Sequence, residues 1–181
     1  MLGMLCAAVA VLATACGSSG PSAEEQWADK VCTPISDWQG KVTKLVDDVQ
    51  SEIKSPSAGT PAAVKSSVDK GVTDTKQLVS DLKALPAPPA DTENGQTAKQ
   101  SLTDLGNTLT KSVNDVQAKV KSAQSSESLS QAAAAVTQIA SELSAAVAAT
   151  STTVDSIKQV SSDLKKGFED ADSCQDLKKQ T

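Results

Sequence analysis

SAEEQWADKVCTPISDWQGKVTKLVDDVQSEIK, residues 22–54, decides the fold class. Its large apolar side chains fall at Trp27, Val31, Ile35, Trp38, Val42, Leu45, Val49 and Ile53, always three or four residues apart. At 3.6 residues per turn that spacing returns every one of them to the same face of a helix, whereas a half-buried strand would alternate. The mixture of threes and fours makes a coiled-coil-like seam that must be buried against other helices. Ser22, followed three residues later by Glu25, forms a capping box, so the helix is expected to begin at Ser22.

The same period continues outward. Residues 55–59, Ser-Pro-Ser-Ala-Gly, break the first helix, and Thr60-Pro61 restarts the chain with an N-cap and a proline at the first helical position. The second stripe runs Val64, Val68, Val72, Thr75, Leu78, Leu82 and Leu85, until the proline-rich stretch 86–90 ends it. A third helix from about Asp91 carries Leu102, Leu105, Leu109, Val113, Val116 and Val120, and stops in the polar run 124–128. Ser128 and Gln131 suggest another capping box. It opens a long fourth segment through Ala132, Val136, Ile139, Leu143, Val147, Thr150, Val154, Ile157, Val160 and Leu164. Lys165-Lys166-Gly167 is the expected stop, although Phe168 keeps the apolar phase. Short connections make successive helices antiparallel neighbours. The expected architecture is therefore all-α, an up-down-up-down four-helix bundle of long coiled-coil-like helices, occupying residues 22–181 as one domain.

Composition restricts what such a bundle can do. Tyr, His and Arg are absent, Phe168 is the sole Phe, and Trp27 and Trp38 are the two Trp residues, so Val, Leu, Ile and Ala must fill the interior. All 17 positive charges are Lys, interspersed with 22 Asp and Glu. A nucleic-acid surface would need a clustered basic face with stacking aromatics, so no nucleic-acid partner is expected. The acidic balance also argues against electrostatic attachment to an anionic membrane.

The N-terminus carries a different signal. An apolar run from Met1 to Ala15 ends at Cys16, and the small polar segment Gly17-Ser-Ser-Gly-Pro-Ser22 follows. The run is shorter than the roughly 20 apolar residues a membrane span needs, and fits the core of a secretory signal. Together these residues resemble the lipobox of a bacterial lipoprotein precursor. The resemblance implies a signal peptide over residues 1–15, removed before Cys16, and a lipid anchor with palmitate-type acyl chains on the Cys16 thiol, residues 16–21 being its linker. The implied location is the extracytoplasmic face of the cell membrane, with the membrane itself as a partner through Cys16. Ala13 stands where the family has Leu, and Met1–Met4 hold no Lys or Arg, so an upstream start codon is expected to supply the basic segment. The alternative is an ordinary secretory signal with an incidental cysteine.

Of the four cysteines, Cys6 leaves with the leader and Cys16 is taken by lipid, which leaves Cys32 and Cys174. An even pair in an oxidising compartment is read as a disulfide, against the alternative of two free thiols. An up-down-up-down bundle brings the start of the first helix and the end of the last to one end, where such a bridge can close. Lengths demand one adjustment. Cys32 to Lys54 spans about 33 Å, while a straight helix from Leu129 to Cys174 would span about 68 Å, so a turn near Gly167 is expected to bring Cys174 back beside Cys32.

Two further resemblances concern the ends and the first helix. Trp27-Ala-Asp-Lys-Val-Cys32, Trp38, and Ala171-Asp-Ser-Cys-Gln-Asp-Leu177 resemble end signatures of small exported helical envelope proteins of actinobacteria, whose function is unassigned. They imply an envelope location and the same Cys32–Cys174 bridge, and no activity. Trp38-Gln39-Gly40 is similar to the Trp-x-Gly turn of small helical-hairpin proteins exported by type VII secretion. There the tripeptide sits at a bend between two helices; here it lies within a periodic helix and reads as a core Trp followed by a tolerated Gly.

Catalytic chemistry finds few carriers. Without His, Arg or Tyr there is no usual general base, phosphate clamp or phenolic acid. Glu24-Glu25 and Asp47-Asp48 are sequence neighbours whose side chains diverge on a helix. Glu169-Asp170-Ala-Asp172 lacks the glycine turn and ligand spacing of a calcium loop. No catalytic residue, cofactor or metal is therefore expected. The leading expectation is a non-enzymatic, lipid-anchored cell-envelope protein presenting a helical bundle as a binding or spacer surface to an envelope protein. The alternatives are a carrier of an acyl chain or other apolar ligand within the bundle, and a partner-binding helical oligomer.

Overall fold

The computed structural model of the chain describes residues 20–54, 60–89, 92–124 and 129–179. The expected leader with Cys16, the expected break at 55–59, the expected start of the third helix at Asp91 and the expected cap at Ser128 lie outside them. The described residues are all-helical: α1 (Ala23–Lys54), α2 (Thr60–Ala84), α3 (Thr92–Gln124), α4 (Leu129–Lys158), α5 (Ser162–Asp170) and α6 (Asp172–Lys179).

The capping box at the start of α1 forms as the sequence predicts. The Glu25 amide donates to Ser22 Oγ at 3.1 Å, and the Ser22 amide donates back to Glu25 Oε2 at 3.3 Å. From there α1 runs 32 residues and passes through Pro34 without ending. A proline inside a helix removes one ladder bond and crowds the preceding turn. Tertiary packing holds the segment helical: Val31, Cys32, Ile35 and Trp38, which bracket Pro34, are all buried.

Each apolar stripe becomes core. From Trp27 to Val49 every predicted position of α1 is buried, as are Val64 to Leu82 on α2, Leu102 to Val120 on α3, and Ile139, Leu143, Thr150, Val154 and Ile157 on α4. Around this interior α1 packs on α2, α2 on α3, α3 on α4, and α4 back on α1. Three contacts set the register of the first pair. Trp27 Nε1 donates to the Pro86 carbonyl at 3.0 Å, Trp38 Nε1 donates to Thr75 Oγ1 at 2.9 Å, and a Cβ on Gly71 would stand 2.5 Å from Leu45 Cδ1. As the α1 number rises the α2 number falls, so the two helices run in opposite directions. Exposed ion pairs one turn apart, such as Lys44–Asp48 and Lys111–Asp115, decorate the solvent face, and Lys41–Asp74 and Lys119–Glu142 bridge between helices. Each exposed pair contributes only a few tenths of a kcal/mol, roughly, so the apolar seams carry the stability.

The end of the chain corrects the sequence reading. α4 does continue through Thr150–Thr153, but the turn comes at residues 159–161 rather than at Lys165-Lys166-Gly167. Ser161 takes an extended conformation (φ −152°, ψ 159°), and its hydroxyl accepts from the Leu164 amide, capping a new helix, α5. A second break at Ala171 starts α6. Two short helices thus replace the tail of the expected fourth helix, and both pack on α1. The length mismatch is resolved by folding the tail back, eight residues earlier than expected at the first turn (159 instead of 167).

Candidate functional site

Among the residues singled out from sequence, Cys32 and Cys174 are brought together. Cys32 lies on α1 and Cys174 on α6, with sulfurs 2.03 Å apart, at disulfide-bonding distance, and Cα atoms 5.0 Å apart. Both are buried. Cys16 lies outside the described residues.

The surroundings explain why α6 reaches α1. Ser173 Oγ donates to Asp29 Oδ1 at 2.6 Å, beside the cysteine pair and between the same two helices. Leu164, Phe168, Ala171 and Leu177 put the apolar faces of α5 and α6 into the core. The Phe168 ring meets Trp27 edge-on, with centroids 5.8 Å apart and planes at 79°. Because Trp27 also donates to Pro86, the start of α1, the end of α2 and both short helices are tied at one end of the molecule.

Gly167 is part of this join and not a helix stop. A Cβ there would lie 2.7 Å from the Glu24 carbonyl carbon and 2.8 Å from its oxygen, so α5 presses directly on the α1 backbone. At Gly40, inside α1, an added Cβ would meet nothing within 4 Å. These two glycines give opposite expectations. Gly40→Ala should stabilise by about 0.5–1 kcal/mol through helix propensity alone. Gly167→Ala should destabilise by about 1–3 kcal/mol because backbone has to move. Thermal unfolding of the two variants side by side checks this, and a stabilised Gly167→Ala would show that the contact is loose. The unbroken helix at Gly40 also answers the Trp-x-Gly similarity, since no bend forms there and Trp38 is a core residue.

Next to the disulfide lies a half-open cleft of about 70 Å³, lined by Ile35 and Gln39 of α1, Ser151, Val154, Asp155 and Lys158 of α4, and Cys174 and Leu177 of α6. Gln39 is 1 % exposed, and its Nε2 donates to Thr150 Oγ1 at 2.7 Å. The sequence reading passed over both residues as chemistry, Gln39 as the middle of a tripeptide and Thr150 as a member of a stripe. A glutamine directly after a core Trp, with a core Ile four residues before it, was the available signal. By contrast a gap between the helices, lined by residues including Trp38, Leu45, Gly71, Val113 and Leu143, is about 10 Å³. That is room for roughly one water, so an acyl chain could enter this gap only if its helices parted.

Among the described residues the lysines and carboxylates meet as ion pairs at the surface, such as Lys166–Asp170 and Lys111–Asp115. Lys166 is raised above the usual lysine range mainly by its hydrogen bond to Asp170, and Lys111 mainly by its bond to Asp115; both are solvent-exposed and held protonated. Among the described residues no group of three His, Cys, Asp or Glu side chains could hold a metal ion, and no helix is long and apolar enough to cross a membrane. No protein-family model, no curated protein and no solved structure matches this chain.

Proposed function

We propose that this is a non-enzymatic, lipid-anchored protein of the cell envelope, held at the extracytoplasmic face of the membrane through Cys16 and presenting its helices as a binding or spacer surface. The observation that carries the proposal is the apolar run ending at Cys16, six residues before the capped start of α1 at Ser22. A Cys32–Cys174 pair at bonding distance supports it, because such bridges persist outside the reducing cytosol.

In this reading α1 to α4 form an up-down-up-down bundle, with α5 and α6 as a fold-back clamp on its anchored end. The opposite directions of α1 and α2 support that topology, as does the ring of contacts from α1 through α4 and back. Because Pro86 meets Trp27, the connection after α2 belongs to the anchored end. The last turn of α1, the first of α2, the last of α3 and the first of α4 then belong to the far end, and those helix ends are where an envelope partner would dock. A basic surface patch is not required for attachment, since a doubly or triply acylated cysteine binds membranes by apolar burial.

The native protein, recovered from its envelope, should yield an N-terminal peptide that begins at Cys16 and carries the mass of a diacylglyceryl group, read by mass spectrometry. Cys16→Ser should move the protein from the detergent phase to the soluble fraction. An unmodified mature chain in the soluble fraction would sink the anchored reading.

A further inference from the structure

We infer that residues 84–89, where α2 ends, are a second point of membrane contact that lays the α2/α3 side of the bundle against the lipid surface, an inference that rests on the anchored reading above. The stretch is Ala-Leu-Pro-Ala-Pro-Pro, without a charge. Ala84, Pro86, Ala87 and Pro89 are exposed, Leu85 is half-buried and Pro88 is buried. The other side of the same end is built differently. There α5 packs on α1 and α4, and α6 packs on α1. The exposed face of α5 carries the ion pairs Lys165–Glu169 and Lys166–Asp170, which keep it hydrated. Among the described residues, then, one side of this end is charged and the other is uncharged and apolar.

Backbone chemistry suits this stretch to lipid. A peptide group moved toward the acyl chains needs a partner inside the protein, because lipid offers none. Pro86, Pro88 and Pro89 have no N–H to satisfy. The Leu85 amide donates to the Leu82 carbonyl at 3.4 Å, and the Pro86 carbonyl accepts from Trp27 Nε1 at 3.0 Å. The prolines also fix φ, so contact orders little further chain. The length of chain before α1 says what covers the patch. Cys16 to Ser22 is six residues, and Trp27, which holds Pro86, lies five residues further on. An extended linker of about 20 Å plus a helical rise of roughly 8 Å keeps the patch within about 30 Å of the lipid that holds Cys16. The surface is therefore present at high local concentration, and a contact too weak to hold a free protein suffices.

The test tethers the mature chain, residues 16–181, through the Cys16 thiol to a maleimide-headed lipid in phosphatidylcholine nanodiscs that also carry a gadolinium-chelating headgroup lipid. Paramagnetic relaxation of methyl resonances then reads distance from the surface. Leu85 and Ala87 should relax several times faster than Val160, at the α4/α5 turn of the same end, and faster still than Val49 and Val120 toward the far end. Ala87→Asp with Pro89→Asp should abolish the difference between Leu85 and Val160. Equal relaxation of Leu85 and Val160 in the unsubstituted chain would overturn the inference, since the end would then rest on lipid without preference. Equal relaxation of all five residues would overturn it as well, because the bundle would be swinging freely on its tether. These comparisons need no variant to fold. Because the tether is chemical, a native Cys16 found without lipid would sink the anchored reading and would not alter what the nanodiscs report.

Discussion

Cys32→Ser and Cys174→Ser should each lower the melting temperature by roughly 6–20 °C, by the same amount, and the double variant should fall no further than either alone. The two cysteines are 142 residues apart in sequence and their sulfurs are at bonding distance. Closing so long a loop removes entropy from the unfolded chain, about 5 kcal/mol in the chain-entropy account, with measured values for native bridges of about 2–5 kcal/mol. Equality follows because each substitution removes the same covalent bond, and both sites are buried, so either variant leaves one hydroxyl and one thiol in an apolar setting. Reductant added to the unsubstituted protein should reproduce the loss. The local consequence should be steep as well: α6 is eight residues long, far below the roughly 12–15 at which an isolated helix becomes marginal, and it leans on α1 and α5. Hydrogen exchange should therefore rise first in α6. Unequal or additive losses, measured by circular dichroism at 222 nm, would mean that the two cysteines do not share one bond.

The helices were legible in the sequence wherever burial acts through a single periodic face. Trp27 to Val49, Val64 to Leu82 and Leu102 to Val120 each keep one phase, and the chain has no competing strand pattern. The paired cysteines were legible for a different reason, since counting and compartment do not require coordinates. What escaped was where the tail folds back. Apolar phase continues almost undisturbed from Ile157 through Val160 and Leu164 to Phe168, so periodicity alone cannot tell one bent helix from two. The deciding bond is Ser161 Oγ accepting from Leu164 N, a local competitor to helix continuation. Gly167 misled in the opposite sense: glycine ends helices when its left-handed conformation is used, but no glycine among the described residues has positive φ, and this one serves close approach to Glu24. The Gln39–Thr150 pair was hidden because it joins residues 111 apart, a distance over which one sequence carries no pairing information.

Phe168→Ala should cost about 3–5 kcal/mol, a fall in melting temperature comparable to that of breaking the disulfide. Phe168 is fully buried, and apart from two tryptophans, the cysteine pair and the buried Gln39, Thr75 and Thr150, the interior is built from aliphatic side chains. Short branched residues on long helices cannot swing into the space of a lost ring, so the cavity stays open and its full penalty is felt. The effect should also be directional. Trp27 is held by the Phe168 ring on one side and by the Pro86 carbonyl through its indole N–H, whereas Trp38 is fixed separately by Thr75. With 5-fluorotryptophan in both positions, the Trp27 fluorine resonance should move in Phe168→Ala and the Trp38 resonance should stay. Phe168→Leu, which keeps most of the apolar area, should lose less than half as much stability while still moving Trp27, because the edge-on ring contact is gone. A loss below about 1 kcal/mol for Phe168→Ala would show that α5 is an appendage. The expected loss makes α5 part of the core, and then the fold-back is what lets a chain with almost no aromatic residues close one end of its bundle.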